Sequence, residues 1–253
     1  MKVAPISSAG VSDERARRAR SFSSVAEAYE RARPEYPAEA ARWLTGEPPL
    51  DVVDLAAGTG KLTRVLTALG HRVTAVEPLV EMRAQLTGAV PGVPVLEGTA
   101  ESVPLPDAVA DAVVVAQAFH WFDQPAALRE IARLLRPAGR LGIVWNIRDD
   151  AVDWVARLSA LIGSEASDDA EDADVIAEAG VYEPAERADW RWEQPLDRAR
   201  LRELVLSRSY CATLPAAEVE PVLDEVDRLY DTAAVDGTLA MPYITYGVRA
   251  TRR

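Results

Sequence analysis

Short apolar runs alternate with amphipathic segments over residues 50–147. The apolar runs are short and rich in β-branched residues, which predicts strands at LDVVDLAA (50–57), RVTAVEP (72–78), VPVLEGTA (93–100), DAVVVAQAF (111–119) and RLGIVWNI (140–147). Helices are predicted between them, at KLTRVLTAL (61–69), VEMRAQL (80–86) and QPAALREIARLLRPAG (124–139). This alternation predicts parallel βαβ units, with helices on both faces of one sheet.

The segment at 124–139 illustrates the helical pattern. Its apolar residues fall at i, i+3, i+4 and i+7, on one face of a helix: Leu128, Ile131, Ala132 and Leu135. Asp123 is placed to cap the start of this helix, and Pro137 with Gly139 is expected to end it. The run AVVVA at 112–116 is apolar throughout, which predicts a strand buried on both sides.

The pattern changes after residue 150. Amphipathic helices are predicted at AVDWVARLSALIG, LRELVLSRSY and AEVEPVLDEVDRLY, and strands at ERADWRWEQP and LAMPYITYGVRA. Residues 165–178 hold seven acidic residues and no basic one. We predict that this run forms a solvated loop or the edge of a mobile lid, with cation binding as the alternative.

Charge and composition restrict the partners. The 253 residues include 40 acidic and 28 basic ones, and the net charge of −12 repels phosphate backbones, so nucleic acid is disfavoured as a partner. The longest apolar run in the middle of the chain is only 112–116, and the N-terminal stretch has no apolar segment, so we expect no membrane span, no secretory signal and a cytoplasmic location. The single cysteine, Cys211, rules out a disulfide framework and a cysteine-based zinc cluster, and we expect no bound metal.

The stretch VVDLAAGTGKLTRVL, residues 52–66, carries the first chemical signal. A predicted strand ends at Asp54, a turn of small residues follows, and a helix begins near Lys61, which is typical of a loop that lies close to a nucleotide. A dinucleotide fingerprint, G-x-G-x-x-G, needs a third glycine where this chain has Thr63. Asp54 would repel a pyrophosphate but suits a cationic ligand, and Glu77, at the end of the next strand, can accept both hydroxyls of a ribose. A ligand with an adenine, a ribose and a positive charge but no phosphate is S-adenosylmethionine.

Four motifs together resemble the class I S-adenosylmethionine-dependent methyltransferases: DLAAGTGKLT, VEP, EGTAESVPLPD and AQAFHWFD. Within that family, FSSVAEAYERARPEYP and AFHWFD are similar to the small-molecule branch that contains the trans-aconitate type. The resemblance implies a doubly wound, mostly parallel sheet of seven strands with an antiparallel last strand. It also implies an N-terminal leader and helical lid over residues 1–40, a Rossmann-like domain over residues 41–253, and acceptor-cap helices within residues 150–236.

The resemblance assigns residues to the cofactor S-adenosylmethionine. The positions that match the family's motifs are Asp54, Ala56, Ala57, Gly58 and Gly60 in the loop, Glu77, Pro78 and Leu79 after the second strand, Thr99, Ala100 and Glu101 after the third, Gln117, Ala118 and His120 after the fourth, and Tyr29 and Arg33 in the lid. Ala56 stands where the family usually has its first glycine, and we expect it to be tolerated because the turn need not have a positive φ there. Thr99 stands where an aspartate is common, so backbone contacts from Ala100 are expected to carry more of the adenine recognition.

The acceptor side is less constrained by motif. Trp145 and Asn146, at the carboxyl end of the fifth strand, are predicted to contact the acceptor, as is Trp121. His120 lies beside the expected position of the methyl group and is the candidate general base.

The predicted reaction is methyl transfer to an oxygen, nitrogen or carbon nucleophile of a small molecule, such as a natural-product intermediate or a carboxylic acid. A carboxylate acceptor would use Arg33, Arg148 or Arg208, whereas a neutral one would use aromatic residues. The protein is expected to be a monomer or a homodimer. The alternatives are a cofactor-binding scaffold without transferase activity and an NAD-linked oxidoreductase, the latter disfavoured by Thr63.

Overall fold

The computed structural model describes residues 33–163, 169–208 and 215–253. Within these ranges the strands are β1 Asp51–Leu55, β2 Arg72–Val76, β3 Val95–Leu96, β4 Ala110–Ala116, β5 Leu135–Arg148, β6 Glu186–Leu196 and β7 Leu239–Thr251. The helices are α1 Ala38–Thr45, α2 Lys61–Ala68, α3 Val80–Ala89, α4 Gln124–Leu134, α5 Asp153–Ile162, α6 Asp169–Glu178, α7 Arg198–Leu206 and α8 Ala216–Ala233, with a 3-10 turn at Phe119–Trp121. Most of the predicted leader and lid, including Tyr29, lies outside the described residues. None of the described helices is both long and apolar enough to cross a membrane.

The seven strands form one sheet in the order β3-β2-β1-β4-β5-β7-β6. Neighbours among β1 to β5 run parallel, whereas β7 is antiparallel to both β5 and β6. The predicted α/β class, the seven strands and the antiparallel last strand are confirmed, although β3 covers only two residues of the strand predicted at 93–100. The strand order reverses between β1 and β4, and sheets of this kind bind ligands beyond the carboxyl ends of the strands at such a point.

Helices cover both faces of the sheet because side chains along a strand alternate between the faces. On β4, Val113 and Val115 belong to the apolar cluster that includes α4, whereas Val114 belongs to the cluster that includes α1 and α2. All three valines are fully buried. The predicted strand buried on both sides is therefore confirmed.

The C-terminal helices have an apolar core of their own. Leu158 on α5, Leu204 on α7 and Val226 on α8 are buried together with Met241 at the start of β7. The end of β5 pairs with Tyr243, so the preceding residues of β7 extend past the carboxyl end of β5. The cluster therefore lies at the edge of the sheet where the parallel strands end.

The helix predicted at 124–139 has its expected start but not its expected end. The backbone N–H of Ala126 donates to the Asp123 carboxylate at 3.2 Å, which confirms the cap. The helix ends at Leu134, and the residues expected in its last turn and at its end lie instead in β5: Leu135, Pro137 and Gly139. The prediction was wrong there because Leu135 pairs with Ala110 of β4, a long-range contact that helical spacing does not reveal.

The acidic run at 165–178 is largely helical, since residues 169–178 form α6. The prediction of a loop was wrong for this part. Asp172 and Ile176 are buried, one turn apart on the same side of the helix. Because seven residues of this run are acidic, the sequence pattern did not indicate that one face of the helix is buried.

Candidate active site

The loop after β1 contains two glycines with different functions. Gly58 and Gly60 have φ of +57° and +89°, and Gly60 precedes the first residue of α2. A Cβ at Gly60 would lie 2.8 Å from Leu86 Cγ on α3, whereas a Cβ at Gly58 would meet nothing within 4 Å. Gly60 therefore lets α3 pack against the loop, and Gly58 leaves the space above the loop open to a ligand.

Ala56 also has a left-handed conformation, with φ +55°. The expectation that this turn needs no positive φ was wrong. The chain turns here because the N–H of Ala57 donates to the carbonyl of Val76 at 3.1 Å, which joins the ends of β1 and β2. Holding an alanine in this conformation costs roughly 1–2 kcal/mol.

Replacing Ala56 with glycine is therefore expected to raise the free energy of unfolding by up to about 1 kcal/mol or to leave it unchanged, because relief of strain offsets the entropy that glycine adds to the unfolded chain. Ala57→Gly is the matched control. Ala57 is outside the left-handed region, so glycine there should lower the unfolding free energy by about 0.5–1 kcal/mol. Urea denaturation measures both changes, and equal losses in the two variants would contradict strain at Ala56.

Asp54 lies beneath the loop rather than on its open side. The side chain is fully buried, and Thr63 Oγ1 on α2 donates to Oδ2 at 2.6 Å. Within the described part of the chain, Oδ1 has no hydrogen-bond partner. Burial raises the pKa of this carboxyl to about 7, and the charge of Glu77 adds to the rise while the Thr63 bond opposes it. Thr63, which breaks the dinucleotide fingerprint, thus joins α2 to the strand through Asp54.

The raised pKa of Asp54 makes the stability depend on pH. The native state holds this proton more tightly than the unfolded state, whose pKa is 3.8, so the stabilisation is fully present below that pKa and is lost as pH rises toward 7. Asp54→Asn has no such proton. Between pH 4.5 and 7.5 its unfolding free energy should rise relative to that of the wild type by about 3 kcal/mol, as measured by urea titration.

Asp51→Asn is a control of opposite sign. Hydrogen bonds from Arg72 and Arg136 lower the pKa of Asp51, so its contribution to stability is present above the unfolded pKa and is lost in acid. Its removal should cost more stability at neutral pH than in acid. Parallel pH profiles for wild type and Asp54→Asn would contradict a buried Asp54 that holds its proton.

Glu77, at the end of β2, is 4% exposed and joins two loops. Its Oε2 accepts from the backbone N–H of Gly58 at 2.9 Å, and its Oε1 accepts from the N–H of Leu79 at 2.9 Å. Burial raises the pKa of Glu77 despite these two bonds. Each oxygen keeps a second lone pair that can accept from a ligand hydroxyl.

A cavity of about 300 Å³ opens among the loops at this edge of the sheet. Many of the predicted cofactor residues line it, together with the predicted acceptor residue Trp121: Ala56, Gly58, Glu77, Pro78, Leu79, Thr99, Ala100, Glu101, Gln117 and Ala118. The wall also contains residues that the sequence did not indicate: Met82, Gly98, Ala116 and Phe122. Residues as far apart in the chain as Ala56 and Phe122 therefore converge on one cavity.

A second cavity of about 50 Å³ shares four wall residues with the first: Ala56, Gly58, Ala116 and Gln117. Its wall also contains Arg33, which donates to the carbonyl of Ser207 at 3.4 Å, and Lys61, whose Nζ lies 3.3 Å from Glu35 Oε1. Thr59 Oγ1 in the same wall is buried and has no hydrogen-bond partner among the described residues. The sequence did not indicate Lys61 or Thr59. A lysine that opens a helix, against the helix dipole, is the signal that could have found Lys61.

The turn after β4 presents His120 and Trp121. His120 is exposed, and its ring centroid lies 4.4 Å from that of Trp121 and 5.1 Å from that of Trp145. Trp145 is 5% exposed, and its Nε1 donates to Asp172 Oδ2 at 2.8 Å. Trp121 lines the larger cavity, and His120, which was predicted to contact the cofactor, lies beside Trp121 but in the wall of neither cavity.

Asn146 supports the turn after β4 from below. Its side chain is 1% exposed, Nδ2 donates to the carbonyl of Glu35 at 2.9 Å, and Oδ1 accepts from Thr245 at 2.5 Å. The carbonyl of Asn146 accepts from Gln117 Nε2 at 2.8 Å. Asn146 and Trp145 thus lie beneath the site, which differs from the direct acceptor contact that the sequence predicted.

Known proteins resemble this chain in sequence and in fold. Residues 53–143 match the family model described as a methyltransferase domain. The chain is 46% identical over 234 residues to an uncharacterized methyltransferase of Mycobacterium bovis, covering 91% of this chain and 95% of that protein. It is 34% identical over 228 residues to an uncharacterized methyltransferase-like protein of Schizosaccharomyces pombe, covering 81% and 83% of the two chains.

A solved structure has the same fold. A proposed type II methyltransferase from Anaeromyxobacter dehalogenans aligns with a TM-score of 0.65 at 22% identity, over 87% of this chain and 97% of that chain. This likeness shows the fold, and the relative at 46% identity shows the family. The chain belongs to the class I S-adenosylmethionine-dependent methyltransferases.

Proposed function

We propose that the two adjoining cavities bind S-adenosylmethionine and that the protein transfers its methyl group to a small-molecule acceptor. The observation that carries the proposal is the carboxylate of Glu77, which lies in the wall of the larger cavity and is anchored by Gly58 and Leu79. A carboxylate there suits the two hydroxyls of a ribose and repels a phosphate attached to either of them. The wall chemistry therefore fits an adenosyl ligand, and Thr63 in place of the third glycine disfavours a dinucleotide.

The smaller cavity fits the amino-acid end of the same ligand. Arg33 and Lys61 supply positive charge for a carboxylate, and the Thr59 hydroxyl supplies a further hydrogen-bonding group. The open space over Gly58 lets one ligand extend through both cavities. Glu77 makes the larger cavity negative, and Arg33 and Lys61 make the smaller cavity positive. The ribose of the ligand therefore lies in the larger cavity and its carboxylate in the smaller one.

The cofactor supplies a methyl group that is already activated on a positively charged sulfur. The residues of the chain therefore have to orient the acceptor and exclude water. Gln117, at the junction of the cavities, has φ +56° and is fixed by its N–H to the Val144 carbonyl at 3.0 Å and by its side chain to the Asn146 carbonyl. Holding the acceptor and the methyl group in the reactive orientation can lower the activation barrier of transfer by roughly 7–11 kcal/mol.

The acceptor is proposed to approach from the side of the C-terminal helices. Arg33 in the smaller cavity donates to Ser207, just after α7, so these helices meet the cofactor site there. Arg148 and Arg208 are 2% and 8% exposed, and Arg148 donates to Ser159 on α5 and to the carbonyl of Gly163. Arginines next to an acceptor would favour one with a carboxylate, which agrees with the resemblance to the trans-aconitate type.

A transfer assay with methyl-labelled cofactor tests this acceptor class. Carboxylic acids should accept label, whereas neutral natural-product compounds of similar size should not. Transfer to the neutral compounds alone would contradict a carboxylate acceptor. Absence of transfer to either set, with cofactor binding intact, would support the scaffold alternative, while membership of the methyltransferase family removes the NAD-linked oxidoreductase.

His120→Gln is expected to lower kcat by about 100-fold, because a general base contributes about 10²- to 10⁴-fold. The dissociation constant of the cofactor should not change, because His120 lies in the wall of neither cavity. His71→Gln is the control, since His71 is buried beside Thr45 and away from both cavities. Unchanged turnover in His120→Gln would exclude His120 from proton transfer.

A further inference from the structure

A buried hydrogen bond joins Asp172 on helix α6 to Trp145 beside the site. Asp172 is 4% exposed in the midst of an otherwise acidic segment, and its Oδ2 accepts from Trp145 Nε1 at 2.8 Å. A buried carboxylate is costly unless its oxygens are bonded, and a buried indole N–H is costly without an acceptor. The two groups therefore fix each other's position.

The indole of Trp145 then contacts the side chain of His120. Their ring centroids are 5.1 Å apart at an interplanar angle of 37°, and His120 is also 4.4 Å from Trp121 at 43°. Trp121 lines the larger cavity, whereas Trp145 is buried and is not part of its wall. These two rings restrict the rotamers of a histidine that is otherwise exposed.

We propose that Asp172 and Trp145 are positioning residues for the reaction. Asp172 holds the indole of Trp145, and Trp145 together with Trp121 holds the imidazole of His120 beside the wall of the larger cavity. The proposal rests on the proposed function for the role of His120. The proposal gives α6 a part in catalysis, which its acidic composition does not indicate. Asp172, the residue of α6 that acts, lies 52 positions after His120 in the chain.

The chain contains two histidines, so the NMR signals of both imidazoles can be assigned with His120→Gln alone. Asp172→Leu removes the acceptor of the indole N–H, whereas Asp172→Asn keeps an oxygen that can accept from it. Asp174→Asn, exposed on the same helix, is the matched control. Trp145→Phe keeps a ring but removes the N–H, and it serves as the second variant if Asp172→Leu does not fold.

The His120 signal should move in Asp172→Leu and Trp145→Phe, because the aromatic rings around the imidazole are displaced. It should stay near the wild-type position in Asp172→Asn and Asp174→Asn, and the His71 signal should not move in any variant. An unmoved His120 signal in a folded Asp172→Leu or Trp145→Phe would overturn the proposal. So would an equal displacement in Asp174→Asn.

Calorimetric titration of the same variants with S-adenosylhomocysteine separates this proposal from the proposed function. The dissociation constants of the Asp172 variants should stay within about twofold of the wild-type value, which corresponds to less than half a kcal/mol. A tenfold loss of affinity in Asp172→Leu would show that Asp172 also supports cofactor binding, and it would overturn the proposal that Asp172 acts only through His120. Failure of the wild type to bind would instead refute the proposed function, while the NMR comparison would still decide whether Asp172 positions His120.

Discussion

Glu77→Gln should weaken the binding of S-adenosylhomocysteine by about 10- to 100-fold. The Glu77 carboxylate accepts from two backbone N–H groups and faces the larger cavity. Glutamine keeps the shape, but it lacks the charge, and its amide nitrogen must replace one of the two acceptor oxygens. A hydrogen bond to a charged group contributes about 1.5–3 kcal/mol, which corresponds to this loss of affinity.

Glu81→Gln is the matched control for this measurement. Glu81 lies in the first turn of α3, four residues after Glu77, and its side chain is exposed. The same chemical change there should leave the dissociation constant at the wild-type value. If calorimetry gives the two variants equal affinities, Glu77 does not bind the ribose.

Gly60→Ala is expected to lower the free energy of unfolding by about 2–5 kcal/mol, the sum of a backbone cost and a packing cost. The residue has φ +89°, at which a side chain costs roughly 1–2 kcal/mol. The new Cβ would lie 2.8 Å from Leu86 Cγ, and overpacking of this kind costs about 1–3 kcal/mol. Cofactor affinity should fall as well, because relieving the clash moves the loop that carries Gly58.

Gly92→Ala separates the two costs. Gly92 also has φ +89°, but a Cβ there would meet nothing within 4 Å. Its replacement should therefore show only the backbone cost, about 1–2 kcal/mol. Urea denaturation of both variants gives the packing contribution by difference, and equal losses would mean that α3 does not constrain the loop.

The local features of the sheet could be predicted because their signals are local. Runs such as AVVVA specify a strand buried on both faces, and Asp123 specifies the start of a helix through its own side chain. The motif residues after β1, β2, β3 and β4 were expected to meet because the family resemblance assigns them all to one cofactor. The cavity walls agree with that expectation.

The features that could not be predicted depend on contacts between distant residues. Leu135 joins a strand because Ala110 pairs with it, and Ala56 takes a positive φ because Ala57 bonds to the end of β2. The buried position of Asp172 depends on Trp145, which is 27 residues away. No spacing rule within one element contains this information.

The side-chain partners of Asn146 and Thr63, which lie beneath the site, could not be predicted either. Asn146 was predicted to contact the acceptor because it lies at the end of β5, but its side-chain bonds to Glu35 and Thr245 direct it into the protein. Thr63 was read only as a departure from a glycine fingerprint, although its hydroxyl binds the buried Asp54. In both cases the position in the strand or loop was predicted correctly, and the partner of the side chain was not.

The most direct test of the central claim is a calorimetric titration of the wild-type protein with S-adenosylhomocysteine and, separately, with NAD. The carboxylate of Glu77 and the space over Gly58 should accept the adenosyl compound, whereas Thr63, in place of the third glycine of the dinucleotide fingerprint, disfavours NAD. Saturable binding of S-adenosylhomocysteine without binding of NAD is the predicted result. Absence of heat with S-adenosylhomocysteine, or binding of NAD in its place, would contradict the account.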